Sequence, residues 1–303
     1  MIWGILGTGK IAKSFASALK DTPGAVLAGV GSRSLPGAQS FADEFGAQSG
    51  IRAYGSYEEL AQAPDVDLIY VGTPHPAHVD NVRMALDAGK GVLCEKPFTM
   101  NRAEAEELVA LARAKNLFLM EAMWMRFNPL HVELQRRISG GEFGAIQRIE
   151  SDFSFAAPRS AEHRLFDPAK GGGSLLDVGI YPLTLAWWWL GAPTSWTATG
   201  DIGPTGVDES VTLDLGWSSG ATARLTCGST RNGSRQSVIT CERATITIPT
   251  PSHASPIAHI VTANGTETVE CAAPGLHHQV VEVQRCLAAG DRKSTRLNSS
   301  HIT

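Results

Sequence analysis

The chain has 303 residues, 43% hydrophobic and 18% charged, enough for two domains or for one large α/β unit with an appended layer, and this excludes wholesale disorder. A formal net charge of −4 leaves no basic footprint for nucleic acid or for an anionic membrane surface, and no apolar run reaches the length of a membrane span. Five scattered cysteines, never spaced C-x-x-C, argue against a disulfide framework or a zinc site and fit a cytoplasmic, reducing setting.

The chain enters a strand-like apolar run at residues 2–6, with no signal-peptide pattern before it. Residues 10–20 then carry helical spacing through Ile11, Phe15, Ala18 and Leu19. A stop at Asp21-Thr22-Pro23-Gly24 precedes a second strand over 25–31, a helix over 38–45 and a short strand over 52–54. Ser56-Tyr57-Glu58-Glu59 is a capping-box pattern that opens the next helix. A strand over 67–71, a Pro-punctuated loop, a helix to about 88, a strand over 91–95, a helix over 101–115 and a strand over 117–123 complete the alternation. Alternating strands and helices, with strands apolar throughout, predict a doubly wound α/β Rossmann sheet.

The pattern changes near Phe127. A helix over 129–139 leads into an alternating segment over 146–155, a turn at Gly171-Gly172-Gly173, and one apolar helix over 175–190. Residues 195–271 read mostly as strands joined by turn signals such as Asn232-Gly233 and Asn264-Gly265, which predicts an α+β domain with a mostly antiparallel sheet. The expected division is a dinucleotide-binding domain over 1–122 and a substrate-binding and dimerisation domain over 123–290, closed by an amphipathic helix near its end. Residues 291–303 are polar and aperiodic, and Asp-Arg-Lys-Ser-Thr-Arg-Leu-Asn-Ser-Ser-His matches a sequencing-library adapter translated in one frame. They are expected to be a non-native tail.

Gly7-Thr8-Gly9-Lys10-Ile11-Ala12 follows a strand and opens a helix, the setting in which glycines let the backbone approach a pyrophosphate at a helix N-terminus. After the second strand an NAD site wants a carboxylate for the ribose. This chain has Gly31-Ser32-Arg33-Ser34, which suits a 2′-phosphate and therefore NADP. Thr73, Pro74, His75 and His78 form a loop at the carboxyl edge, read as lining the nicotinamide pocket. With no further ligands nearby, the His-x-x-His spacing is not read as a metal site. Glu95-Lys96-Pro97 ends the fifth strand and puts an amine at a strand terminus, while Asp177 and Tyr181 stand i and i+4 on one helix face. An acid, a phenol and a lysine at one cofactor would form a proton-transfer set. Trp124, Arg126 and Phe155 are candidates for a substrate wall, and Trp187-Trp188-Trp189 cannot all face one side of a helix.

Gly-x-Gly-x-x-Ala, Glu95-Lys96-Pro97 and Asp177-x-Gly179-x-Tyr181, in this order, resemble the Gfo/Idh/MocA family of oxidoreductases over residues 1–290. Residues 3–12, 120–127 and 171–182 resemble in particular its dimeric dihydrodiol dehydrogenase and NADP-dependent D-xylose dehydrogenase branches; many other branches carry His in place of Tyr181. The resemblance implies that Lys96 lowers the pKa of Tyr181 and orients a substrate hydroxyl, that Tyr181 is the general acid/base, and that Asp177 holds the constellation. It also implies a homodimer built through the second-domain sheet. The expected activity is NADP-linked oxidation of an aldose such as xylose or glucose, or of a cyclic trans-diol. A catalytically silent NADP-binding sensor on the same fold is the reading from another class.

Overall fold

In the computed structural model, which describes residues 1–46 and 50–291, the chain divides into two units. The first comprises Met1–Trp124 together with the segment from Gly275, the second Met125–Pro274. The adapter-like tail, apart from Asp291, lies outside the described residues.

The short apolar runs of the first unit form β1 (Ile2–Leu6), β2 (Val26–Gly31), β3 (Arg52–Tyr54), β4 (Leu68–Val71), β5 (Gly91–Glu95) and β6 (Leu119–Ala122). All pair in parallel in the order β3-β2-β1-β4-β5-β6, the doubly wound order, whose direction of progression reverses between β1 and β4. Their crossovers carry α1 (Lys10–Lys20), α2 (Leu35–Gly46), α3 (Tyr57–Ala61), α4 (His78–Asp87) and α5 (Arg102–Ala114). The capping pattern acts as it reads: Ser56 Oγ accepts from Glu59 N at 3.1 Å, and the Glu59 carboxylate accepts from Gly55 N at 3.0 Å.

Side chains of the strands alternate between two cores. On one face Trp3 meets Phe15 edge-on at 5.5 Å between centroids, and Phe15 stacks on Tyr70 at 3.7 Å. On the other, Leu6, Ile69 and Val71 pack with Val82, Leu86 and Leu108 of α4 and α5. Helix α8 (His277–Ala288) also belongs to this unit, where Gln284 Nε2 donates to Pro23 O at 3.1 Å at the end of α1. This corrects the expected division, which carried the second domain through residue 290. The apolar stripe of Val280, Val283 and Cys286 announces a helix with one face to bury, and says nothing of which core receives it.

The second unit is an eight-stranded sheet: β7 (Ile146–Ser154), β8 (Ser195–Ile202), β9 (Asp208–Gly216), β10 (Thr222–Gly228), β11 (Ser237–Cys241), β12 (Ala244–Ile248), β13 (Ile257–Thr262) and β14 (Gly265–Glu270). The order is β14-β13-β12-β11-β7-β10-β9-β8, antiparallel except for the β7–β10 pair. Ile149, Leu225, Ile239, Ile246 and Ile260 pack on one side against Leu130 and Leu134 of α6 (Pro129–Ser139) and Ala186 of α7 (Ile180–Leu190). Polar pairs such as Arg148–Glu150 and Arg224–Asp214 stand exposed on the sheet, and every residue of β8 is exposed. The single helix expected over 175–190 is two elements, because Leu175–Gly179 forms a wide π turn before α7 begins. Asp177 and Tyr181 therefore stand in different helical regimes rather than on one α-helical face.

His131 of α6 is fully buried, and neither ring nitrogen meets a protein hydrogen-bond partner. Burial first, and then the neighbouring His253, pull its pKa down from 6.5 to about 3. The unfolded chain takes up a proton there near pH 6.5 that the fold refuses until about pH 3, so this group lowers stability as pH falls across that window. His78, also buried and shifted down, adds a slope of the same sign. Unfolding midpoints measured between about pH 7 and about pH 4.5 should fall less steeply for His131→Leu than for the parent; an unchanged slope would assign the acid sensitivity elsewhere.

Candidate active site

The loops at the carboxyl ends of the first unit's strands lie at one edge of the sheet, because the strands are parallel. Gly7 has φ +99°, and a Cβ there would lie 2.9 Å from Gly72 O, so the loops after β1 and β4 abut only because this residue is glycine. Gly9 is the N-cap of α1, with extended backbone and no side-chain cap, and a Cβ at Gly9 would meet nothing within 4 Å. The first N–H groups of α1 therefore open, uncapped, onto free space. Thr8 is half-buried, Gly9 and Lys10 are exposed, and Ile11 leaves 37% of an apolar side chain uncovered in the same turn.

Ser32 is buried at the end of β2, Arg33 is exposed, and Gly37 brings the two serine hydroxyls together, its Cβ position lying 3.0 Å from Ser34 Oγ and 3.3 Å from Ser32 Oγ. No acidic residue occupies the first turn of α2, and the Arg33 charge is felt at Tyr57, whose hydroxyl burial otherwise pushes upward. This edge fits a dinucleotide with a phosphate on its adenosine ribose: uncapped helix amides, a guanidinium and two hydroxyls, with no acidic residue in the first turn of α2.

The Glu95–Lys96–Pro97 turn is held by its own neighbours. Glu95 is buried; its Oε1 accepts from Tyr70 Oη at 2.5 Å and its Oε2 from Lys96 N at 3.2 Å. Glu121, on the adjacent strand, accepts from Phe98 N at 2.9 Å. His78 is fully buried, its Nδ1 lying 2.8 Å from Pro97 O and its Nε2 2.9 Å from Thr73 O. Burial drives its pKa down more strongly than the carbonyl oxygens raise it; the neutral ring lies between the loops after β4 and β5 and donates to one of the two carbonyls, according to its tautomer. Asn81 Nδ2 donates to Thr73 Oγ1 at 2.9 Å. Cys94, buried and flanked by Glu95 and Glu121, has its pKa raised well above the usual thiol value, chiefly by burial, and stays a neutral thiol.

In the second unit Asp177 lies in the π turn and Tyr181 in the first turn of α7, both buried. The Tyr181 ring packs against Phe153 at 5.2 Å and His253 at 5.1 Å, and the latter two stack on each other at 4.2 Å. Tyr181 borders a small cavity shared with Met125, Ser151, Ser237 and Ser252, whose three serine hydroxyls are linked at 2.7 and 2.9 Å. Phe155 approaches this cluster through Phe153, at 6.3 Å. Arg126 instead stacks over Trp188, 5.0 Å from the ring centroid. Trp124 lies at the end of the first unit, half-buried. Among the described residues no three His, Cys, Asp or Glu side chains gather as a metal-ligand set.

Of the residues singled out from sequence, Gly7, Thr8, Gly9, Ser32, Arg33, Thr73, Pro74, His75 and Lys96 belong to loops or turns at the first sheet's carboxyl edge, Lys10 and Ile11 open α1 there, and Glu95 ends β5. His78 and Glu95 turn their side chains inward and fix those loops. Arg164, Tyr70 and His253 carry no motif, and these three, with Glu121 inside the 120–127 stretch, become visible as structural partners only through the contacts they make. No spacing rule links Arg164 to Asp177, and His253 follows a Pro-rich turn that reads only as a loop.

Comparison with known proteins agrees with this geometry. The oxidoreductase family with an NAD-binding Rossmann fold (Gfo/Idh/MocA) matches residues 1–123, and the Gfo/Idh/MocA C-terminal domain matches residues 131–247. The chain is 37% identical over 310 residues to a trans-1,2-dihydrobenzene-1,2-diol dehydrogenase of Xenopus tropicalis, covering 96% of this chain and 91% of that one. It is 33% identical over 339 residues to a D-xylose 1-dehydrogenase (NADP(+)) of Hypocrea jecorina, covering 97% of this chain and 86% of that one. Among solved structures, a 3-ketoreductase from Actinomadura kijaniata in complex with NADP and TDP-benzene superposes with a TM-score of 0.86 at 26% identity, over 99% of this chain and 94% of that one. Matched through both its domains and along nearly its whole length, the chain belongs to the Gfo/Idh/MocA family of oxidoreductases.

Proposed function

We propose that the protein is an NADP-dependent dehydrogenase that oxidises a CH–OH group of an aldose such as D-xylose or glucose, or of a cyclic trans-diol, in the cytoplasm. The observation that carries the cofactor choice is the end of β2, where Ser32, Arg33 and Ser34 stand in place of a carboxylate beside the uncapped start of α1. NADP is named both for the D-xylose 1-dehydrogenase relative and in the ketoreductase complex, which supports the same choice. Names of the relatives, a diol dehydrogenase and an aldose dehydrogenase, support the two substrate classes.

Bound nicotinamide supplies the hydride acceptor. The amides of Gly9–Ile11 would hold the pyrophosphate, and Arg33 with Ser32 the 2′-phosphate. Lys96 is the cation of the acid–base set. A phenol titrates near ~10 in water and works as a base near neutrality only beside a positive charge. Tyr181 takes the proton of the substrate hydroxyl at its Oη as the hydride departs, and returns it in the reverse direction. Asp177 orients the set. The exposed Trp196 and Ile202 on β8, 70% and 69% accessible, are the apolar surface through which two copies would pair.

Three measurements test this reading. Purified protein assayed for reduced nicotinamide across a panel of aldoses and trans-diols should turn over with NADP, and Tyr181→Phe should lose at least ~100-fold in kcat while still binding NADPH. A protein that binds NADPH yet oxidises nothing, with Tyr181→Phe indistinguishable from the parent, would instead be the sensor. Arg33→Ala should raise KM for NADP by roughly 10-fold or more and leave KM for NAD nearly unchanged, since it removes a two-point contact made only to the phosphate. Parental preference for NAD would overturn the cofactor assignment. Light scattering on a size-exclusion column should give a dimer for the parent and a monomer for Trp196→Glu; a monomeric parent would remove the pairing surface from the proposal.

A further inference from the structure

Both carboxylate oxygens of Asp177 accept from Arg164, Oδ1 from Nη1 at 3.0 Å and Oδ2 from Nη2 at 3.1 Å. This is the two-point fork that fixes a carboxylate in direction as well as in charge. The partners are unequal in exposure: the Asp177 side chain is 5% accessible, that of Arg164 55%. A carboxylate that deep stays ionised at little cost only while donors meet it.

The backbone brings Arg164 there. Gly173 N donates to Leu165 O at 2.9 Å and Gly172 N to Asp167 O at 3.0 Å. A Cβ on Gly172 would lie 2.8 Å from Leu165 O, 2.9 Å from Asp167 O and 3.0 Å from Arg164 O, so the glycine turn presses directly against the segment that carries the arginine. From the other side Asp208 Oδ2 accepts from Ser174 Oγ at 2.8 Å and from Leu175 N at 2.7 Å, pinning the start of the π turn. The same irregular segment is tied again at Arg159, whose Nη2 lies 2.9 and 2.7 Å from the two oxygens of buried Glu209.

We propose that Arg164 is a positioning residue for the reaction: its fork holds the Asp177 carboxylate as an oriented anion, on a segment locked by Gly172 and Arg159. This rests on the dehydrogenase reading, in which Asp177 orients the acid–base set. Arg164 acts through Asp177 and not on the substrate.

A double-mutant cycle on the full chain tests it. Arg164→Gln should lower kcat by roughly 10- to 100-fold with KM for NADP changed less than about 2-fold, and Arg164→Lys, which keeps the charge and loses the fork, should recover part of the rate. Added to Asp177→Asn, Arg164→Gln should cost nothing further, because its effect passes through the carboxylate. A full, independent loss in the Asp177→Asn background, or a parental kcat for Arg164→Gln, would overturn the proposal. The same cycle read in thermal midpoints needs no turnover: sub-additive shifts of a few degrees support the clamp, and additive shifts sink it. Failure of the dehydrogenase reading would look different, as a parent without turnover or an Asp177→Asn variant at full rate, and the thermal cycle would still decide whether the clamp exists.

Discussion

A carboxylate taken out of water has to be met by donors, and in both units this requirement fixes loops that hold the candidate site residues. Glu95 and Glu121 are 5% and 6% accessible, and between them they accept from a phenol and from two backbone N–H groups around Lys96 and Pro97. Asp177 and Glu209 are 4% and 8% accessible, and each is answered by an arginine from the irregular segment between β7 and the π turn. The donors are in short supply in a protein interior, so each buried acid dictates where a loop must lie. Replacing any of the four by its amide keeps the shape and removes the charge that draws the donors in, which makes amide variants sharper probes than alanine.

Much of the architecture is legible in the sequence because it depends on local regularities. Continuous apolar runs of four to six residues, broken by glycine or proline and alternating with helical patterns, read as parallel strands covered on both faces, and β1, β2, β4 and β5 lie where those runs lie. Capping by Ser56 and Asn101 is equally local. What the sequence leaves undecided is non-local. Helix α8 has an apolar stripe, and joining it to α1 rather than to the second sheet depends on a surface far away in the chain. The π turn at Leu175–Gly179 depends on contacts with Arg164, Asp208 and Cys227; a Cβ on Gly179 would lie 2.8 Å from Cys227 Sγ. His78 reads as a loop residue that faces ligand, and its ring turns inward to lie between two carbonyl oxygens on different loops. Residues that act on other residues leave no spacing signal.

Glycine makes the same distinction within the two motifs that identify the family. Gly7 is required for its backbone angle and for its approach to Gly72 O. Gly9 is ordinary in both respects, with φ −76° and open space where a side chain would go, so its value lies in what a side chain there would block. Gly172 differs again, since three carbonyl oxygens of its own chain crowd its Cβ position. A glycine with open space at its Cβ position and an ordinary φ, as at Gly9, is required by neither backbone angle nor packing; one whose missing Cβ faces backbone is part of the scaffold. By that criterion Gly7 is a scaffold glycine and Gly9 is not, while Gly172 of the Gly171–Gly173 turn belongs to the scaffold that carries Arg164 to Asp177. Alanine at Gly9 then acts on the affinity for nucleotide, and alanine at Gly172 on the placement of the acid.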